Sequence, residues 1–271
     1  MPEGDTIHRA ANRLRPALEG QVLTRFEAPR LTGDRPAAGE RIDGVEARGK
    51  HLLVHFSGGL SLRTHMRMTG SWHLYRTGER WQKPAYLLRA LVEADNGWQA
   101  VCFQAPVVET YRRALGDPTS LAALGPDLGA AEPDLDAAVA RLAALVEPGT
   151  DVADALLDQR IAAGIGNVYK SEVLFLHGLD PFTPVDDVDP ATLRRILATA
   201  HGLLRANLDS GRRATYRSGL AVYGRRGQPC PRCGTPVRMR RQGAAARSTY
   251  WCPTCQQPPA DKEVADPGLR D

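Results

Sequence analysis

The sequence predicts an α+β protein of several domains: an N-terminal helix and a strand-rich region, then a helical region and a small metal-bound hairpin. Short β-prone runs separated by turns fill residues 21 to about 110, whereas helical periodicity prevails after residue 134. Two Cys-x-x-Cys pairs follow near the C-terminal end. The 271 residues, 42% of them hydrophobic, suffice for two domain cores and a small metal module.

The first domain, residues 1–115, begins with an amphipathic helix over Thr6–Leu18, in which Ile7, Ala11 and Leu14 share one face. Strands follow, and the Asn-Gly turn at residues 96–97 between two β-prone runs is a strong hairpin signal. Several short strands with regular turns indicate a sandwich or a barrel. The strand-like runs are Lys50–Phe56, Leu60–His65, Tyr86–Ala94 and Trp98–Gln104.

The remaining chain is interpreted as four consecutive parts. Residues 116–134 are rich in Gly, Pro and Asp and are predicted to be a linker, and residues 135–222 form a helical domain. Residues 223–256 hold the metal module, and the polar, Pro-rich residues 257–271 are expected to be a disordered tail. The predicted helices of the helical domain are Asp136–Val146, Val152–Leu157, Val168–His177 and Ala191–Leu208.

Four of the five cysteines have the spacing of a four-thiolate zinc site. The alternative is two disulfides in a secreted protein, but the chain shows neither a signal peptide nor an apolar run of about 18 residues. A reducing, cytoplasmic setting and one structural Zn²⁺ are therefore expected, and Cys102 in its apolar run is expected to be an inert core thiol. The predicted zinc ligands are Cys230, Cys233, Cys252 and Cys255.

Charge is distributed unevenly along a chain whose net charge is only +4. Between Arg194 and Trp251 stand thirteen arginines and a single acidic residue, Asp209. A solvated charged face is the ordinary explanation of such a run. Here the run coincides with the predicted zinc hairpin and contains four Tyr and Trp side chains, so nucleic acid is the favoured partner. The arginines are 194, 195, 205, 212, 213, 217, 225, 226, 232, 238, 240, 241 and 247.

The N-terminal residues Pro2 and Glu3 are candidates for covalent chemistry. Removal of Met1 would leave Pro2 as a secondary amine, and an α-amino group has a reference pKa of about 8, so a useful fraction is nucleophilic near neutral pH. Glu3 can move the protons that attack on a sugar carbon requires. The alternative is structural: a proline in the first helical turn and an acid that suits the helix dipole.

A glycine-rich turn, Gly164-Ile165-Gly166-Asn167, opens one of the predicted helices. Such a turn can point backbone N–H groups at a phosphate, with the helix dipole assisting. It can equally be a plain connection with an asparagine cap. The residues alone do not separate these two interpretations.

Taken together, four separated motifs resemble the formamidopyrimidine-DNA glycosylase and endonuclease VIII family over residues 2 to 256. They are PEG at residues 2–4, GKHLL at 49–53, QRIAAGIGNVYKSEVLF at 159–175 and RSTYWCPTCQ at 247–256. The resemblance implies a two-layer β-sandwich behind the N-terminal helix, a helix-two-turns-helix domain and a zinc finger. It also implies damaged double-stranded DNA as the partner, and we expect a monomer without membrane association.

The resemblance implies four catalytic positions. Pro2 is the expected Schiff-base nucleophile, with Glu3 as its proton-handling acid. Lys50 is expected to contact phosphate and assist the first elimination, and Arg247 to grip the phosphates beside the flipped nucleotide.

Four further positions are expected to bind DNA. By resemblance, Asn167 holds a phosphate beside the lesion, and the segment His65 to Gly70 is a void-filling loop. Met68 is the candidate wedge and Arg67 a candidate contact to the orphaned base, with core packing as the alternative for Met68. His65, which begins the loop, is included among the DNA contacts.

The implied activity is that of a bifunctional DNA glycosylase and abasic-site lyase of base excision repair. The PEGDTIHR start is closer to the endonuclease VIII branch, which predicts oxidised pyrimidines as substrates and β,δ-elimination. The HMRMTG loop lacks the Gln-Leu-Tyr triplet of well-known endonuclease VIII proteins, so oxidised purines remain the alternative within the family. A non-catalytic zinc-dependent nucleic-acid-binding protein is the alternative of a different class.

Overall fold

The computed structural model describes residues 2–209, 211–217 and 219–258, which contain an N-terminal helix, two β-sheets, a helical part and a C-terminal hairpin. Thirteen residues of the predicted tail, 259–271, lie outside the described residues. Helix α1 (Gly4–Leu18) starts two residues earlier than predicted and leads into eight strands. They are β1 (Leu23–Glu27), β2 (Ile42–Arg48), β3 (His51–Phe56), β4 (Leu60–His65), β5 (Ser71–Arg76), β6 (Leu88–Ala94), β7 (Trp98–Phe103) and β8 (Val107–Arg112).

The eight strands form two antiparallel sheets, in the orders β1-β6-β7-β5 and β2-β3-β4-β8. One apolar core, with residues such as Leu14, Phe56 and Val92, joins both sheets and helix α1. The two-layer β-sandwich implied by the resemblance is therefore confirmed, and the barrel that the strand pattern alone left open is excluded. The Asn96-Gly97 hairpin is confirmed, with Gly97 at φ 77° between β6 and β7. Cys102 is fully buried in the core, as predicted.

Among its described residues the helical part contains five α-helices. They are α2 (Thr119–Ala122), α3 (Leu135–Leu145), α4 (Val152–Ala155), α5 (Asn167–His177) and α6 (Pro190–Ala206). Their positions agree with the predicted helices except that α4 is shorter and α2 lies inside the segment predicted as a linker. That segment is packed rather than free, because it buries Leu121 and Leu128. The Asp127 carboxylate there accepts hydrogen bonds at 2.8 Å from the backbone N–H of Gly49 and Gly129.

The zinc module consists of two cysteine turns and a hairpin of β9 (Arg238–Gln242) and β10 (Arg247–Trp251). The hairpin turn lies at Gly243, whose φ is 66°. Cys230 Sγ and Cys255 Sγ lie 3.8 Å apart, and Cys233 Sγ and Cys252 Sγ lie 3.5 Å apart. A disulfide requires about 2.05 Å. All four sulfurs lie within 4.8 Å of one another, which suits a tetrahedral zinc ion with Zn–S bonds of about 2.3 Å.

Helix α5 is the element on which the other parts converge. Its Lys170 side chain is buried and donates to Ser248 O at 3.2 Å and Thr249 Oγ1 at 2.7 Å, both on β10. Its Glu172 carboxylate, also buried, accepts the backbone N–H groups of Ala221, Val222 and Tyr223 at 2.7 to 2.9 Å. Helix α5 therefore fixes both the zinc hairpin and the segment leading to it.

The N-terminus of the chain docks on the N-terminal end of the same helix. The Glu3 side chain is fully buried and accepts hydrogen bonds from the N–H groups of Gly166 at 3.0 Å, Val168 at 2.9 Å and Tyr169 at 3.2 Å. A Cβ at Gly166 would lie 2.4 Å from Glu3 Cδ, so only glycine admits this approach. The glycine-rich turn is thus an anion-binding turn whose anion is Glu3.

Replacing Gly166 by alanine is expected to destabilise the protein by about 3 kcal/mol, because the new methyl group displaces a buried carboxylate from its hydrogen-bond donors. Gly202→Ala is the matched control: Gly202 lies on α6, has an ordinary φ, and a Cβ added there would meet no atom within 4 Å. Since alanine favours a helix by up to about 1 kcal/mol over glycine, Gly202→Ala is expected to be neutral or stabilising. Urea unfolding of the two variants checks this; equal stabilities would mean that the Glu3 contact contributes nothing.

Candidate active site

A cavity of about 540 Å³ lies where the sandwich, the helical part and the zinc hairpin meet. Six of the eight predicted catalytic and DNA-binding residues line it: Pro2, Lys50, His65, Arg67, Met68 and Arg247. Glu3, which follows Pro2 in the sequence, is fully buried and does not line the cavity. Residues that are 245 positions apart in the sequence therefore share one cavity.

Asn167 does not line the cavity. Its side chain is 4% exposed, and its Nδ2 donates to Ser248 Oγ on β10 at 3.4 Å. Its Oδ1 is buried and has no hydrogen-bond partner among the described residues. Asn167 therefore links α5 to the zinc hairpin.

The loop between β4 and β5 exposes the predicted wedge. Met68 is 62% exposed, whereas Met66, two residues earlier, is 2% exposed and belongs to the sandwich core. The loop is tightly closed, since Gly70 N donates to Met66 O at 2.9 Å and a Cβ at Gly70 would lie 2.7 Å from that oxygen. Arg67 has a positive φ of 44° at the tip. Core packing, the alternative for Met68, is excluded by this exposure.

Lys50 lies at the start of β3, and its environment lowers its pKa to about 8. Burial is the main cause, the positive charge of Arg247 adds to it, and the negative charge of Glu3 opposes it. The turn before Lys50 is held by Gly49, whose φ is 58° and whose N–H donates to Asp127. Lys50 is thus a partly desolvated amine held next to the N-terminus.

Two histidines beside Lys50 are neutral at physiological pH. His51 and His65 lie opposite each other on β3 and β4, with ring centroids 4.7 Å apart. Burial lowers the pKa of His51 to about 3 and that of His65 to about 4. The charges of Lys50 and Arg63 disfavour a further positive charge on either ring. The cavity wall therefore consists mainly of hydrogen-bond donors.

Sequence reasoning missed six residues of the cavity wall, some polar and some apolar: His51, Arg63, Val107, Ser120, Leu157 and Gln159. The only signal for His51 and Arg63 is strand register. In the β3–β4 hairpin His51 pairs with His65, and across β4–β8 Arg63 pairs with Glu109. The sequence placed the hairpin but gave no register for β8, because its connection to β4 is long.

Family models match nearly the whole chain. The N-terminal domain of formamidopyrimidine-DNA glycosylase matches residues 1–115, its H2TH domain matches residues 124–218, and the zinc finger found in FPG and IleRS matches residues 227–258. None of the described helices is long and apolar enough to cross a membrane.

Individual relatives agree with the family models. The chain is 44% identical to "Probable endonuclease 8 2" of Streptomyces coelicolor, an alignment that covers 100% of this chain and 99% of the relative. It is 40% identical to "DNA-(apurinic or apyrimidinic site) lyase Nei2" of Mycolicibacterium smegmatis, with coverage of 94% and 99%.

Solved structures share the fold. The MutM (Fpg) protein of Thermus thermophilus superposes with a TM-score of 0.75 at 30% identity, covering 94% of this chain and 98% of that one. Lactococcus lactis Fpg, in a complex with DNA containing an abasic site, has a TM-score of 0.79 at 22% identity, with coverage of 94% and 100%. By its domains, its full-length relatives and its fold, the chain belongs to the formamidopyrimidine-DNA glycosylase and endonuclease VIII family.

Proposed function

We propose that this protein is a bifunctional DNA glycosylase and abasic-site lyase of base excision repair that removes oxidised pyrimidines and cleaves the strand by β,δ-elimination. The observation that supports it best is the cavity that gathers Pro2, Lys50 and Arg247 from three separate parts of the fold. A purely DNA-binding protein has no need to hold a terminal amine and a partly desolvated lysine in one cavity. The bacterial relatives support a cytoplasmic location.

The proposed reaction starts when the damaged nucleotide leaves the duplex, because a stacked base shields its sugar carbon. The Pro2 nitrogen attacks C1′, and the damaged base departs with a proton. The C1′–O4′ bond opens, O4′ takes a proton, and an iminium forms. Glu3, the residue next to Pro2, handles these protons. Met68, exposed at the loop tip, fills the vacated space, and Arg67 reaches the orphaned base.

Strand cleavage then uses the acidity that the iminium gives to the sugar. Loss of a proton from C2′ breaks the C3′–O3′ bond and leaves a 5′-phosphate on the downstream strand. Loss of a proton from C4′ breaks the C5′–O5′ bond and leaves a 3′-phosphate on the upstream strand. Water finally hydrolyses the imine and restores Pro2. Lys50 and Arg247 supply positive charge for the phosphates. The zinc ion's contribution is structural: it holds the hairpin that carries Arg247.

Preference for pyrimidines rests on the full-length relatives, whose names place them with endonuclease 8. Oxidised purines remain the second candidate, favoured by the Arg67-Met68 pair in a loop that lacks Gln-Leu-Tyr. Excision from duplexes containing dihydrouracil or 8-oxoguanine, opposite each of the four bases, separates the two.

Borohydride trapping on an abasic-site duplex is expected to cross-link Pro2, and Glu3→Gln is expected to separate the two activities. Base excision falls by roughly two to four orders of magnitude, the range for general acid–base catalysis. Cleavage of a preformed abasic site falls less, because the base has already departed.

Two controls accompany this experiment. Blocking the N-terminus with an upstream tag is expected to abolish trapping while DNA binding persists. Unfolding of Glu3→Gln is measured alongside, since the new amide places a donor against the N–H groups of α5. Equal losses on both substrates, or a cross-link mapped to an internal lysine, contradict the assignment.

Lys50 predicts a pH dependence of abasic-site cleavage. The free-enzyme rate, kcat/KM, is expected to fall as pH rises through about 8, because Lys50 loses there the positive charge that attracts phosphate. Arg247→Ala removes a positive charge that lowers this pKa, so the falling limb moves to higher pH. Lys50→Arg keeps its charge over the whole pH range and is expected to abolish the fall in kcat/KM near pH 8. If kcat/KM of Lys50→Arg still falls near pH 8, another group is responsible for the fall.

Chelation of zinc and the Arg247→Ala substitution are expected to weaken DNA binding in different ways. Loss of zinc unfolds the hairpin, since such modules draw their folding energy from the metal. Arg247→Ala keeps the fold and the zinc, and lowers the slope of log affinity against log salt by about one unit, as expected for one phosphate contact. Binding of a non-cleavable abasic analogue at several salt concentrations measures the slope. Arg25→Ala, an exposed sandwich arginine paired with Glu27, is the control. An unchanged slope for Arg247→Ala identifies Arg247 as a mere surface charge.

A further inference from the structure

The sandwich wall of the cavity contains a polar cluster that the proposed mechanism does not use. It consists of His51 on β3, and Arg63 and His65 on β4, and we call it the β3–β4 cluster. His65 is already a predicted DNA contact, whereas His51 and Arg63 have no role so far. All three line the cavity beside Lys50.

Hydrogen bonds fix the proton positions of both histidines. His51 Nδ1 lies 3.4 Å from Arg63 Nη1, and His65 Nδ1 accepts the backbone N–H of Arg67 at 3.2 Å. A guanidinium and a backbone N–H can only donate, so both Nδ1 atoms are acceptors. In each neutral ring the proton then resides on Nε2, which is left as a donor.

Arg63 is held rigidly, with its side chain 8% exposed. Its Nε lies 2.7 Å from Glu109 Oε1, and its Nη1 donates to Ser120 Oγ at 2.6 Å. The contact of Nε with Glu109 is an ion pair without hydrogen-bond geometry, so the buried Nε has no hydrogen-bond partner among the described residues. A buried guanidinium with spare donors, beside two imidazole donors and Lys50, suits an anion with several oxygens.

We propose that the β3–β4 cluster binds the 5′-phosphate that the first elimination leaves on the downstream strand. A phosphodiester carries one negative charge, whereas a phosphomonoester carries about 1.5 to 2 at pH 7 and offers three acceptor oxygens. The β3–β4 cluster therefore attracts the downstream phosphate more strongly once the C3′–O3′ bond has broken. The inference rests on the proposed function, which places Lys50, next to His51 in the chain, at the phosphate of the first elimination.

Binding of the reaction product tests the inference without requiring catalysis. The probe is a duplex with a one-nucleotide gap, prepared with a phosphate or a hydroxyl at the downstream 5′ end and, separately, at the upstream 3′ end. For the wild type, a 5′-phosphate is expected to tighten binding roughly tenfold to a hundredfold, the range for hydrogen bonds to a charged group. Fluorescence anisotropy gives the affinity ratio between the two 5′ ends.

Arg63→Gln and His51→Leu are expected to bring this 5′ ratio towards one, while Arg63→Lys retains part of it. Affinity for an uncut duplex with a non-cleavable abasic analogue falls less than affinity for the gapped 5′-phosphate duplex, because the uncut phosphodiester carries only one negative charge. Arg63→Gln with Glu109→Gln removes both charges of the ion pair and guards against misfolding caused by an unpaired Glu109. Arg41→Gln is the matched control and is expected to leave the 5′ ratio unchanged. Arg41 is also paired with an acid, but its side chain is 62% exposed.

Three outcomes overturn the inference: a 5′ ratio of one in the wild type, a 5′ ratio that is unchanged in Arg63→Gln both with and without Glu109→Gln, or a dependence on the 3′-phosphate that these two variants abolish. Borohydride trapping of the same preparations keeps the two proposals apart. Trapping without a 5′ ratio refutes only the phosphate subsite, and a 5′ ratio without trapping refutes only the catalytic proposal.

Discussion

The burial of the Glu3 carboxylate at the N-terminal end of helix α5 is the interaction on which the arrangement of this protein depends. An ionised carboxylate removed from water is tolerated only when hydrogen-bond donors replace its solvation. Three backbone N–H groups at a helix start, where the dipole is positive, meet that requirement. Since Glu3 follows Pro2 directly, fixing the acid also fixes the amine beside it.

Helix α5 extends this control to the other parts of the molecule. Lys170 and Glu172, one turn further along, hold the zinc hairpin and the segment that leads to it. Arg232, within the first cysteine turn, donates to Phe175 O at 2.9 Å near the end of the same helix. Pro2, the proposed nucleophile, and the Arg247-bearing hairpin are therefore positioned by one rigid, buried element, which suits a site that requires fixed geometry.

The cavity combines positive charge with neutral donors. Lys50, Arg63 and Arg247 supply positive charge, whereas burial and the charges of Lys50 and Arg63 lower the pKa values of His51 and His65 and keep both rings neutral. Further protonation would add like charge to a confined space, so the histidines contribute N–H donors instead. Such a wall attracts phosphate oxygens without the full repulsion that five cations would create.

The sequence alone determined the order of the parts, most element positions and the four-sulfur cluster, because hydrophobic periodicity, the Asn96-Gly97 turn and cysteine spacing are local signals. Motif resemblance also indicated six residues that share the cavity. The strand pattern by itself left a sandwich or a barrel open; the resemblance implied the sandwich, and the strand order that establishes it depends on long-range pairing seen only in the tertiary structure. The tertiary structure also decided that the glycine-rich turn receives Glu3, 163 residues away from Gly166 in the chain. Sequence reasoning did not identify His51 and Arg63 as cavity residues for the same reason. Their positions in the cavity wall depend on the register of β3, β4 and β8, and no local sequence pattern encodes which side chains a sheet brings together.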